Sequence, residues 1–115
     1  MELSTIEVTI ERVEDSKLKD ARIVKASSNE YTLYFDLIAD LMDIKEGERV
    51  EVYIGKSKPK DIDSYEFCGH GYLIKPENEV DETLLSLWGI IFQFRPPIGL
   101  EYGEKYYLCM KKQKS

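Results

Sequence analysis

The sequence YEFCGHGYLIK, residues 65–75, gives the most direct information about the fold of this chain. Its aromatic and branched residues favour a β-strand, and Gly69 and Gly71 stand two positions apart, so they lie on the same face of that strand. Because glycine has no side chain, this face permits a sharp bend or the close approach of another backbone. Small barrels need such bends, so the segment predicts one strand of a small β-barrel.

The segments before and after it show strand patterns as well. Apolar and polar residues alternate in residues 6–11 (IEVTIE) and 49–54 (RVEVYI), which sends the apolar side chains of each segment to one face. Residues 21–26 and 31–37 are predicted to form a hairpin, because the serine and asparagine residues between them favour a turn. A last strand is predicted over residues 106–111.

One segment departs from the strand pattern. Leu37, Leu41 and Ile44 are spaced as on a helix, so residues 36–44 are predicted to form one short helix or turn. About seven short strands with little helix predict an all-β fold, an antiparallel barrel or sandwich, and a small antiparallel barrel of the oligonucleotide-binding type is compatible. The chain has 115 residues and shows no linker, so residues 1–115 are expected to form a single domain.

The composition restricts the classes of function. The chain carries 16 Lys and Arg against 22 Asp and Glu, and its net charge of −6 repels a phosphate backbone at long range. No segment approaches the roughly 20 apolar residues of a membrane-spanning helix, and the first residues do not resemble a signal peptide. We therefore expect a cytoplasmic protein with no membrane partner and no specific nucleic-acid ligand.

Two lysine clusters keep a nucleic-acid function open as an alternative. If the fold brought them together, they could form a local phosphate-binding patch on a free-standing, single-stranded nucleic-acid binder. Solvated loop charges are the simpler interpretation. The clusters are Lys56, Lys58 and Lys60 in a predicted loop, and Lys111, Lys112 and Lys114 near the C-terminus.

Cys68, His70 and Cys109 are the candidate metal ligands or nucleophiles. Cys68 and His70 share one face of a strand, but a zinc site needs about three or four ligands, and Cys109 lies in an alternating segment where it is predicted to pack. Without a signal peptide, the two cysteines are predicted to be buried thiols. We expect no metal, no cofactor and no catalytic residue on this chain. A small thiol or metal enzyme built on Cys68 and His70 is the weaker alternative.

Residues 84–94, LLSLWGIIFQF, are apolar on both alternating faces. A strand with one face toward water would expose one of them, so that face is covered either within the domain or by another protein. We assign half of the segment to the core and the rest to a partner, because aromatic residues such as Trp88 are enriched at interface centres. The candidate interface residues are Leu87, Trp88, Ile90, Phe92 and Tyr107.

Three stretches of the chain resemble the subunit 8 family of archaeal and eukaryotic DNA-directed RNA polymerase. Residues 35–37 (FDL) and 43–48 (DIKEGE) resemble the family's strand, short connection and acidic-glycine turn. Residues 65–74 resemble its central aromatic strand. Residues 86–92 (SLWGIIF) and 106–112 (YYLCMKK) resemble its closing pair of strands.

The resemblance covers nearly the whole chain and carries several implications. Trp88-Gly89 stands where eukaryotic members usually have paired glycines, and the loop of residues 55–64 is short, so the chain resembles the archaeal, G-type form of this family. The family implies a barrel of the oligonucleotide-binding type that docks on the largest polymerase subunit and supports assembly or stability. It implies no catalytic or metal-binding residues.

Overall fold

The structure, a computed structural model, describes residues 4–15, 17, 21–38 and 42–113. These residues form eight strands, one turn of 3-10 helix at Ile62–Ser64 and the short helix α1 at Glu77–Val80. The strands are β1 (Ser4–Asp15), β2 (Ala21–Ser27), β3 (Thr32–Ile38), β4 (Arg49–Gly55), β5 (Phe67–Leu73), β6 (Thr83–Leu87), β7 (Ile90–Arg95) and β8 (Tyr106–Lys112).

The strands close into a barrel in the order β1-β2-β3-β7-β6-β5-β8-β4, and every neighbouring pair is antiparallel. Successive residues of a strand point to opposite faces, so each strand sends alternate side chains into the barrel and the others outward. The apolar residues at the inward positions form one continuous core. The predicted fold class, an all-β antiparallel barrel, is confirmed.

Val52 of β4 and Leu108 of β8 lie in this core and are both fully buried. We expect Val52→Ala and Leu108→Ala each to lower the free energy of unfolding by about 1–4 kcal/mol, because each truncation loses buried apolar contact and leaves a cavity. Urea unfolding midpoints measure the effect. Unchanged midpoints for both variants would show that their inward orientation is misassigned.

Gly69 and Gly71 lie on the inner face of β5, and of the two alternatives, a sharp bend or a close backbone approach, Gly71 makes the close approach. A Cβ atom at position 71 would stand 1.7 Å from the backbone carbonyl oxygen of Ser86 on β6. At position 69 the nearest atom is the side-chain Cδ2 of Leu87, at 2.8 Å. Glycine at position 71 therefore lets β5 meet β6, where the two strands pair only briefly, through Tyr72 and Leu73.

The two cysteines are joined in a disulfide, which contradicts the prediction of buried thiols. Cys68 on β5 and Cys109 on β8 are direct cross-strand partners, with their Cα atoms 4.1 Å apart. Cys109 is fully buried, whereas Cys68 is only partly buried. The prediction was wrong because residues 41 positions apart in sequence become neighbours only through the β5–β8 register.

The short helix or turn predicted over residues 36–44 does not match the described part of that segment, residues 36–38 and 42–44. β3 continues to Ile38, and residues 42–45 are neither helix nor strand, while residues 39–41, including Leu41, fall outside the described residues. Leu37 and Ile44 are both buried. Their spacing thus reflects two inward-facing positions, and the short helix α1 instead lies between β5 and β6.

Glu77, the first residue of α1, forms hydrogen bonds with the loop that follows β7. Its carboxylate accepts hydrogen bonds from the Thr83 hydroxyl and from the backbone N–H groups of Gly99 (3.2 Å) and Leu100 (3.0 Å). Thr83 is fully buried, and its hydroxyl oxygen also accepts a hydrogen bond from the Ile98 N–H at 3.0 Å. The Thr83 hydroxyl and these three backbone N–H groups therefore all have an acceptor within the cluster.

We expect Glu77→Ala to lower the free energy of unfolding by about 1–3 kcal/mol, because it leaves the buried Thr83 hydroxyl and the part-buried Leu100 N–H without this acceptor. Glu79→Ala on the same helix is the matched control, since Glu79 is exposed and makes no side-chain hydrogen bond among the described residues. Thermal melts of both variants test this, and equal melting temperatures would contradict the role given to Glu77.

Candidate docking surface

The two halves of the barrel's outer surface differ in what covers them. Over β4 and β8, the chain between β4 and β5 folds back across the outward-facing side chains. Tyr53 of β4 is buried there, and its hydroxyl donates a hydrogen bond to the Ser57 carbonyl oxygen at 2.5 Å. The Tyr65 ring lies 6.2 Å from the Tyr53 ring, between their centroids, and the Tyr65 hydroxyl donates to Glu51 at 3.2 Å. This half of the surface is covered by the chain itself.

Charged side chains on the covered half neutralise one another. The Lys111 ammonium lies 3.7 Å from the Glu51 carboxylate, 3.6 Å from that of Asp61, and 4.6 Å from the centroid of the Tyr65 ring. Burial, together with the Glu51 charge, raises the pKa of Tyr65 to about 12. The hydrogen bond from Ser64 lowers the pKa of Asp61 below its usual value. The network holds the covering loop against β8.

The two lysine clusters do not form one free cationic patch. Lys111 is paired as described, Lys112 lies 3.7 Å from Glu48, and Lys56 lies 3.5 Å from Glu104. Lys58 and Lys60 are exposed, and Lys114 falls outside the described residues. Three lysines that a phosphate-binding site would use are therefore neutralised by carboxylates of the same chain.

The other half of the outer surface, on β2, β3, β7, β6 and β5, carries most of the exposed large apolar side chains of the described residues, among polar ones such as Asp36 and Ser86. Pairing places Tyr72 of β5 beside Ser86 of β6, and Ser86 beside Ile91 of β7, in one row across the sheet. Two shallow hollows of about 300 and 360 Å³ lie between the side chains of this half. We call its large apolar residues the apolar face: Ile23, Tyr72, Ile74, Leu84, Trp88 and Ile91.

Trp88 is the most exposed residue of the apolar face, at 72%. It forms with Gly89 the two-residue turn between β6 and β7, where both residues have positive φ angles of 51° and 92°. Glycine, asparagine and aspartate are the usual residues at such positions, and a bulky side chain there costs about 1–2 kcal/mol. Trp88 is therefore both strained in its backbone and exposed to water, which folding alone does not explain.

A row of aromatic rings continues from Trp88 across β5 to β8. The His70 ring meets the Trp88 ring edge-on at 5.2 Å between centroids, and it meets the Tyr107 ring at 5.6 Å. The Lys105 ammonium lies 5.2 Å from the centroid of the Tyr107 ring. The Nδ1 atom of His70 is buried and has no hydrogen-bond partner among the described residues. This row extends the apolar face toward β8.

The family model for the G-type subunit of DNA-directed RNA polymerase matches residues 3–113 of this chain. The chain belongs to this family. The resemblance drawn from the sequence is confirmed, and the chain is accordingly one of the subunits of a DNA-directed RNA polymerase.

Two curated proteins are similar along almost the whole chain, and both are called DNA-directed RNA polymerase subunit Rpo8. The protein from Saccharolobus solfataricus is 27% identical, over 90% of this chain and 88% of its own length. The protein from Saccharolobus shibatae is 26% identical over the same shares. Both organisms fit the archaeal type that the Trp88-Gly89 turn suggested.

The predicted interface residues divide between the core and the surface of this polymerase subunit. Leu87 and Phe92 point into the barrel and are 0% and 1% exposed, so they belong to the core of this chain. Ile90 is partly buried and packs against that core. Trp88 and Tyr107 lie on the outer surface, at the two ends of the aromatic row.

Five residues of the apolar face are not among the predicted interface residues, namely Ile23, Tyr72, Ile74, Leu84 and Ile91. The position of Tyr72 could have been predicted, because alternation along β5 places its side chain on the outer face, opposite to Gly71 and Leu73. The other four lie near strand ends, where alternation is short. Their common surface arises only when β2, β7 and β5 enter one barrel.

Cys68, His70 and Cys109 do not form a metal site in the structure. The disulfide occupies both sulfur atoms, and the described part of the chain holds no group of three or more potential metal ligands.

Among the residues that the structure describes, no helix is long and apolar enough to cross a membrane.

Proposed function

We propose that this polymerase subunit is non-catalytic, that it docks on the largest subunit through its apolar face, and that it supports assembly or stability of the enzyme in the cytoplasm. The family assigns the chain to the polymerase. The contrast between the two halves of the barrel supports docking, because one half is covered by the chain's own loop and the other presents exposed apolar side chains.

Trp88 is the observation that carries this proposal. A tryptophan that is 72% exposed in a left-handed turn is unfavourable for the isolated chain in two respects. Tryptophan is also the residue type most enriched among those that contribute most to protein association. A partner that buried the Trp88 side chain would gain the free energy of removing its apolar surface from water, which folding of the isolated chain does not provide.

A free-standing binder of single-stranded nucleic acid is the second candidate. The observation in its favour is the row of Trp88, His70 and Tyr107 with Lys105 beside it, since exposed rings next to cations can stack bases. The net charge of −6 and the carboxylate-paired Lys56, Lys111 and Lys112 oppose it.

Affinity purification of the tagged chain from its native cell separates the two functions. We expect the polymerase subunits, including the largest, to be recovered with the tagged chain after nuclease treatment. Recovery of the chain without polymerase, together with submicromolar binding of single-stranded oligonucleotides at physiological salt, would contradict the proposal and favour the nucleic-acid function.

A further inference from the structure

Two basic residues near the β2, β3 and β7 part of the apolar face, Lys25 and Arg95, are already paired. The Lys25 ammonium lies 3.7 Å from the Glu11 carboxylate and 5.9 Å from the centroid of the Tyr34 ring. The Arg95 Nε lies 2.7 Å from Glu82 Oε1, and this hydrogen bond lowers the pKa of Glu82 and raises that of Arg95. Each of these pairs has no net charge, so a partner that covered it would not need to supply an opposite charge.

Asp36 is different, because it is an exposed acidic residue beside the apolar side chains of this face. It points outward from β3, opposite Ile23 on β2, and it lines a hollow together with Leu84 and Ile91. Of the salt bridges formed by described residues, none includes Asp36. The Asp36 side chain is exposed on the isolated chain.

Docking through the apolar face would remove this side chain from water. Burying an ionised carboxylate without a counter-charge or hydrogen-bond donors is strongly unfavourable, and it would oppose the gain from burying Ile23 and Ile91. A surface built for tight association therefore needs a matching group in its partner at this point.

We propose that the partner segment seated on the apolar face presents a basic side chain, arginine or lysine, that pairs with Asp36, flanked by apolar residues that fill the hollow. This inference rests on the proposed docking function and specifies the chemistry of the partner. A second copy of this chain does not fit, because it would bring an acidic chain of net charge −6 against another. A nucleic-acid backbone does not fit, because it would meet the Asp36 carboxylate with like charge.

The test compares Asp36 with a matched aspartate outside the apolar face. Asp63 is also exposed, but it lies in the 3-10 turn of the covering loop. Full-length Asp36→Asn, Asp36→Lys, Asp63→Asn and Asp63→Lys proteins are titrated against purified polymerase that lacks this subunit, and dissociation constants are measured at two salt concentrations. Thermal melts verify that each variant is folded.

We expect Asp36→Asn to weaken binding about tenfold or more, and Asp36→Lys to weaken it further, because the first loses the ion pair and the second places like charges together. Both Asp63 variants should bind like the unaltered protein. Added salt should weaken binding of the unaltered protein more than that of Asp36→Asn, because only the former retains the ion pair.

A parallel variant, Ile91→Ser, distinguishes failure of this inference from failure of the docking function. If Ile91→Ser weakens binding while both Asp36 variants bind normally or more tightly, the apolar face docks but its partner supplies no cation, and the inference is wrong. If none of these variants changes binding, the apolar face is not the docking surface, and both proposals fail. Asp36→Asn alone decides the question if the lysine variant does not fold.

Discussion

Gly71→Ala is expected to lower the free energy of unfolding by about 3 kcal/mol or more, or to prevent folding. The added Cβ would stand 1.7 Å from the Ser86 carbonyl oxygen, which is a backbone atom held in the β6–β7 hairpin. Relief requires separating β5 from β6, where the barrel has its shortest pairing, of two residues. Circular dichroism and urea unfolding measure the loss.

Gly69→Ala is the matched control, since it adds the same methyl group on the same face of the same strand. Its Cβ would meet only the end of the Leu87 side chain, at 2.8 Å, and that side chain can shift. A cost of about 1 kcal/mol is expected. Equal stability losses for the two variants would show that backbone approach is not the reason for glycine at position 71.

Trp88→Ala is expected to weaken association with the polymerase by about 2 kcal/mol or more, because it removes a large aromatic side chain at the proposed interface. The isolated barrel should stay folded, since the side chain is 72% exposed and its ring contact is with His70. Binding to polymerase that lacks this subunit and thermal melts of the free chain give the two quantities.

Two further variants sharpen this test. Trp88→Gly also removes the left-handed strain at φ 51°, so it should bind weakly while melting at the same temperature as the unaltered chain or higher. Tyr102→Ala is the control, because Tyr102 is 60% exposed but lies in the turn between β7 and β8, outside the apolar face. Normal binding of Trp88→Ala with a large drop in melting temperature would assign Trp88 to the fold instead.

The sequence was most informative where the alternation of apolar and polar residues, or the spacing of glycines, determines the local structure. The alternation in residues 49–54 predicted which side chains of β4 point inward, and the spacing of Gly69 and Gly71 predicted a sharp bend or a close backbone approach, of which Gly71 makes the second. Period 2 identifies the two faces of a strand, but it does not identify its neighbours. Sequence alone therefore left the order of strands open.

What the sequence missed depends on that order. Cys68 and Cys109 were expected to be thiols because the first residues do not resemble a signal peptide, and their separate segments do not reveal that β5 pairs with β8 in register. Leu87 and Phe92 were grouped with Trp88 as interface residues because the turn at Trp88-Gly89 was not recognised. That turn makes residues 84–94 a hairpin of two strands, each with one face in the core.

The most direct measurement is the structure of the native polymerase, containing this subunit, by electron cryo-microscopy. We predict that the largest subunit covers Trp88, Tyr72 and Ile91, and that the loop over β4 and β8 remains exposed to solvent. A map in which the subunit contacts the enzyme through that loop, with Trp88 facing solvent, would contradict the proposed docking.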